Sequence, residues 1–68
     1  MVNNGRIPGI MGEMMAMAVG DVLTFPIRDV LAVRNRVTTL NAMHYRDGSR
    51  WRSISDKESG VVNVMREA

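Results

Sequence analysis

The sequence contains no cysteine, one histidine, one lysine and only three aromatic residues, Phe25, Tyr45 and Trp51. Without cysteine there is neither a disulfide staple nor a thiolate metal site. One histidine excludes a two-histidine ligand pair within one chain, and His44 with the scattered carboxylates matches no recognised ligand spacing. No metal and no other cofactor is therefore expected. The longest apolar run, Met14 to Val19, covers six residues, where a bilayer crossing takes about 20, so no membrane role is expected. No charged segment followed by an apolar run and a small-residue cleavage site opens the sequence, which implies a cytoplasmic protein.

Catalytic patterns are absent as well. Gly5, Gly9 and Gly12 have neither the spacing nor the preceding strand of a phosphate-cradling loop. Ser49, Ser53, Ser55 and Ser59 lie in or beside expected turns, with no histidine and acid pair to activate them. The expectation is a non-enzymatic binding protein with no small-molecule substrate.

What is present is a short chain with localised charge. Sixty-eight residues make one small domain, and a chain of that size buries only about 60% of its unfolded surface. Packing or self-association must supply the stability, so a homodimer is one expected form. The net charge of +2 hides an asymmetry. Residues 34–52 hold Arg34, Arg36, Arg46, Arg50 and Arg52 against Asp47 alone, whereas the segments on either side are each net −1. Eight of the nine basic residues are arginine, whose planar fork grips phosphate or carboxylate in bidentate fashion.

Along the chain, residues 1–9 contain two glycines, a proline and two asparagines with no apolar period, and read as a flexible arm. The remaining residues, 10–68, read as a single small α+β domain. Ile10 to Val19 suits a short helix despite Gly12. Methionines at 11, 14, 15 and 17 also leave room for a start codon near Met17, in which case the first dozen residues are dispensable. Gly20-Asp21 signals a turn, and Val22 to Phe25 reads as a strand stopped by Pro26. Pro26 also suits the first turn of a helix, and Asp29 lies early enough to favour the positive end of its dipole.

That helix is expected from about Ile27 to Met43. At about 100° per residue, Val30, Val33, Val37 and Leu40 share one arc, the signature of a core-facing stripe. The opposite arc carries Arg28, Ala32, Asn35, Thr39 and Ala42 with Thr38 at its edge, while Arg34 and Arg36 flank the stripe on its two sides. Arg46-Asp47-Gly48-Ser49 reads as a turn with Gly48 free to take a positive φ. Arg50 to Ser55 and Val61 to Arg66 read as two strands, joined by the five-residue loop Asp56 to Gly60. The expected fold is a short N-terminal helix followed by β-α-β-β, its central helix packed on a small antiparallel sheet, with a winged-helix-like arrangement as one variant.

Within this frame Trp51 reads as a core anchor rather than a base-stacking platform, since so few aromatics are available. His44 reads as a polar residue at a helix C-terminus, with a phosphate contact as the alternative. Tyr45 either caps the core or touches a ligand. The methionines read as adaptable packing.

Two functional readings follow. In the first, an outward-facing Asn35, Thr38, Thr39 and Arg28 contact base edges in DNA, Arg46, Arg50 and Arg52 neutralise phosphates, and Arg34 and Arg36 belong to the same nucleic-acid-binding set. The hairpin would then serve as a wing or backbone clamp. The stretch Val19-Gly20-Asp21, then Thr24-Phe25-Pro26, a helix with Val33-Arg34, Arg50-Trp51-Arg52-Ser53-Ile54-Ser55 and a final valine-rich strand resembles small bacteriophage-encoded DNA-binding regulators over about residues 19 to 66. The resemblance implies a strand-helix-hairpin protein acting in transcription regulation in the host cytoplasm. It departs at the acidic turn with Asp56 and Glu58, which argues against phosphate contact at the hairpin tip. In the second reading, a phage or mobile-element protein turns the same arginines on an acidic surface of a host protein or defence complex and inhibits it. Open strand edges could add to such a partner's sheet.

Overall fold

The inward valines within Val61 to Arg66 and the 3.6-residue period of Val30, Val33, Val37 and Leu40 resolve into one sheet with one long helix across it. The structure, a computed structural model, describes residues 9–68. The expected N-terminal arm thus lies outside the described residues except for Gly9. In chain order the elements are α1 (Gly9–Met15), β1 (Val22–Pro26), α2 (Val30–Met43), β2 (Trp51–Asp56) and β3 (Val61–Arg66), with 3-10 turns at Ile27–Asp29 and Tyr45–Asp47. This is the α+β order read from the sequence.

The boundaries differ in four places, the first being that the helix expected over Ile10 to Val19 is α1 over Gly9–Met15 and ends before Ala16. The expected helix over Ile27 to Met43 divides into a 3-10 turn and α2, with Val30 N–H donating to the carbonyl of Ile27. Asp29 stands at the N-cap of α2 but makes no side-chain cap hydrogen bond. Pro26 belongs to β1, which an edge strand permits because the missing N–H is not needed. The hairpin strand starts at Trp51 and runs through Asp56, which still pairs with Val61, so the connecting loop is Lys57 to Gly60.

All pairings are antiparallel and the strand order is β1-β3-β2. On the face under α2, Leu23 and Phe25 of β1 flank Val64 and Val62 of β3, with Ser53 and Ser55 beyond them on β2. Val33, Val37 and Leu40 of α2 meet Val62, Val64 and Trp51 there, and Met14 and Met17 close the end of the core. Val30 joins the rim, so the stripe read from the helical period is the buried one.

Only one α-helix lies between β1 and β2. A helix-turn-helix needs two helices joined by a short turn, so the hairpin is the part of a winged-helix arrangement that the described residues contain in that stretch.

Residues before Met17 are not spare. Met14 is fully buried, and its carbonyl accepts the indole N–H of Trp51 at 3.0 Å. A product starting near Met17 would lack both the plug and the acceptor, whereas the first dozen residues named as dispensable end before Met14. Gly20 and Gly48 occupy the left-handed region, at φ 93° and 78°. Gly20 is third in the turn Ala18 to Asp21, where Asp21 N–H reaches the Ala18 carbonyl at 2.9 Å, and that position requires a positive φ in a type II turn. Gly48 ends the 3-10 turn after α2, as the sequence suggests.

The sheet edges are occupied in part. On β2, Arg50 pairs its backbone with Glu67 and Ala68, so the next residue directs its backbone outward. Asn41 of α2 takes both outward groups of Trp51, donating Nδ2–H to the carbonyl at 2.9 Å and accepting the N–H on Oδ1 at 2.8 Å. The alternation then leaves Ser53 and Ser55 open on β2, and Val22 and Thr24 on β1 before Pro26.

Among the described residues the other sheet face carries no helix. Following the register, it consists of three rows: Val22, Met65 and Arg52; Thr24, Asn63 and Ile54; Pro26, Val61 and Asp56.

Candidate nucleic-acid interface

Burying Val33, Val37 and Leu40 fixes the rotation of α2 and thereby decides what it shows to solvent. Leu31, Asn35, Thr38 and Ala42 recur at helical spacing on the side away from the sheet, and all four are exposed. Arg34 and Arg36 are exposed on the two flanks of that stripe. The fourteen residues of α2 include no carboxylate. Thr39 turns its hydroxyl back to the Asn35 carbonyl at 2.9 Å, leaving its methyl as the outward group. The Asn35 side chain makes no hydrogen bond among the described residues.

Arg28 and Arg46 are exposed in the 3-10 turns before and after α2, so they extend the same helix at its two ends. Arg50 is exposed just before β2. Among the described residues, Arg28, Arg34, Arg36, Arg46 and Arg50 form no ion pair.

Arg52 is placed elsewhere. Trp51 points into the core, so its neighbour projects from the opposite sheet face, away from α2. There Arg52 approaches Glu67 at 3.4 Å with both side chains well exposed. The structure therefore brings together Arg34, Asn35, Arg36, Thr38 and Thr39, sets Arg28 and Arg46 beside them, and separates Arg52. The signal was present in the sequence, because a core Trp51 within a strand already implies an outward Arg52.

Three residues missed by the sequence reading carry weight. Leu31, 72% exposed, lies one helical turn before Asn35 and makes the outward stripe partly apolar. Asn41 is a structural clamp. Arg66 serves structure as well: its Nη1 donates to the Met17 carbonyl, Nε to Ala68 and Nη2 to Ser49, while its guanidinium lies 5.1 Å from the centre of the Trp51 ring.

Trp51 is a core anchor, 4% exposed. His44 caps α2, pairs Nδ1 with Asp47 at 2.9 Å and lies tilted against Trp51. Its Nε2 is buried without a partner among the described residues. Tyr45 is 77% exposed and does not close the core. Among the described residues no pocket opens, no cluster of three potential metal ligands forms, and no helix is long and apolar enough to cross a membrane. Comparison with protein-family models, curated proteins and solved structures gives no match to this chain.

Proposed function

We propose that the protein binds duplex DNA through the exposed side of α2, as a small regulator of the kind its sequence resembles. One observation carries the reading: a helix without carboxylates presents an uncharged stripe between Arg34 and Arg36, neither of which forms an ion pair among the described residues. An α-helix with its side chains is about 10–12 Å across, close to the roughly 12 Å width of the major groove. Seated there, Arg34 and Arg36 would reach the two phosphate backbones. Asn35 would meet an adenine edge, and Thr38, Thr39 and Leu31 would offer apolar contacts to thymine methyl groups. Arg28 and Arg46 would extend the phosphate contacts at the helix ends, with Arg50 near the hairpin. Arg52, on the far face, has no part in this geometry.

Fluorescence anisotropy with random-sequence duplex tests the proposal. Five phosphate contacts, from Arg28, Arg34, Arg36, Arg46 and Arg50, give a slope of log affinity against log salt of about −4.5. Absence of binding at low salt, or binding indifferent to salt, rejects it.

A second reading has its own observation. Leu31, Met43 and Tyr45 are 72%, 62% and 77% exposed on or just beyond α2, an apolar content that a phosphate surface does not require and a protein partner would use. An acidic host protein would then be the target. Leu31→Ala separates the readings: it costs little against random duplex but abolishes capture of a protein for which Leu31 is an anchor.

A further inference from the structure

We infer that the open face of the sheet is the contact surface of a homodimer, in which a second copy stacks face to face with its β2 running antiparallel to the first. This inference is independent of DNA binding.

Nine residues make up the face. Val22, Pro26, Ile54, Val61 and Met65 are apolar, and Val22 and Ile54 are 52% and 42% exposed. In the central row the Thr24 hydroxyl donates to Asn63 Oδ1 at 2.7 Å, which lowers the cost of removing both from water. Only two residues of the face are charged, and both lie on β2, Arg52 in the first row and Asp56 in the last, with Ile54 midway between them.

A twofold axis parallel to the sheet and crossing the strands reverses the rows while keeping each strand over its own copy. Arg52 then faces Asp56 of the second copy, and the same contact recurs by symmetry. Ile54 meets Ile54, Asn63 meets Asn63, and Val22 and Met65 lie over Pro26 and Val61 of the second copy. Such self-complementarity is what an isologous contact demands. A second Asn63 also offers a partner for the amide N–H groups that Thr24 cannot satisfy. Asp56 spends Oδ1 on the Ser59 N–H at 3.2 Å, leaving Oδ2 for a guanidinium. The Arg52 contact to Glu67 at 3.4 Å occupies only Nη1, so the other side of the fork is free.

Size sets the strength. Three strands about 4.8 Å apart, each some five residues long at about 3.4 Å rise, give a footprint of roughly 14 by 17 Å. That falls short of the roughly 800 Å² per partner of a standard interface, so the dimer is weak and exchanging.

Sedimentation equilibrium from about 10 μM to 1 mM chain reads the association. Wild-type mass is expected to climb towards that of two chains. Arg52→Asp and Asp56→Arg should each remain monomeric, because like charges then face each other at both contacts. Their equimolar mixture should associate again, since each reversal complements the other. Wild-type protein that stays monomeric at about 1 mM, reversal variants that associate like wild type, or folded variants whose mixture does not associate each overturn the inference. Asp56→Arg also removes a loop hydrogen bond, so circular dichroism must accompany it. If it fails to fold, Ile54→Lys decides. At least a tenfold weaker dimerisation is expected, and an unchanged constant, or a monomer that instead loses another partner, rejects the proposal.

Discussion

Asn41 and Asn35 sit on the same helix, and Arg66 and Arg34 carry the same guanidinium, yet the two pairs live in different regions. Around Trp51, Asn41 spends both ends of its amide on one backbone residue, and Arg66 distributes its donors over Met17, Ser49 and Ala68. On the outward side of α2, Asn35 makes no side-chain hydrogen bond and Arg34 no ion pair among the described residues. The first region has its polar groups consumed by the fold. The second keeps them available. Residue type does not separate the two, whereas the partners brought in from distant sequence positions do.

Substitutions that break this contrast can be ranked. Trp51→Ala removes the largest core side chain and its hydrogen bond to Met14, and should cost about 3–5 kcal/mol in urea unfolding. In so small a domain that is enough to leave much of the chain unfolded. Met14→Ala follows at about 2–4 kcal/mol, and a stability unchanged by it would show that α1 does not seal the core. Asn41→Leu strands the outward N–H and C=O of Trp51, with an expected loss of about 1–3 kcal/mol. By contrast, replacing Arg34 and Arg36 together by alanine should move stability by no more than about 0.5 kcal/mol while making the salt slope of duplex binding shallower by about 2. A large loss of stability there would mean the flank is structural after all. The smallest effect on stability belongs to Asn35→Ala, which should leave melting unchanged while reducing discrimination between preferred and random duplex by about 1–3 kcal/mol.

Much of this architecture is legible in local pattern. Val30, Val33, Val37 and Leu40 announce the buried side of α2 because three and four residue steps return to one face. The valines of β3 announce a strand with Val62 and Val64 inward. Local pattern cannot pair Trp51 Nε1 with a carbonyl 37 residues earlier, or Arg66 with one 49 residues earlier. A bare charge count leaves residues 34–52 undivided, although strand parity beside an inward Trp51 already sends Arg52 to one side while the buried stripe of α2 sets Arg34 and Arg36 on the other. Summed charge along a chain gives the quantity of cation, and strand parity decides where it points.

The Asn41 clamp has a consequence beyond holding α2 to the sheet. By satisfying the first outward rung of β2 with a side chain, and with Pro26 ending β1 at the other margin, the molecule offers an incoming strand two open residues on either side. Self-templating growth into fibres takes segments of about six or seven residues. The two edge strands therefore expose runs too short for a neighbouring chain to zip onto, while the valine-rich β3 is paired on both sides, and Asn41→Leu should surrender that safeguard together with stability.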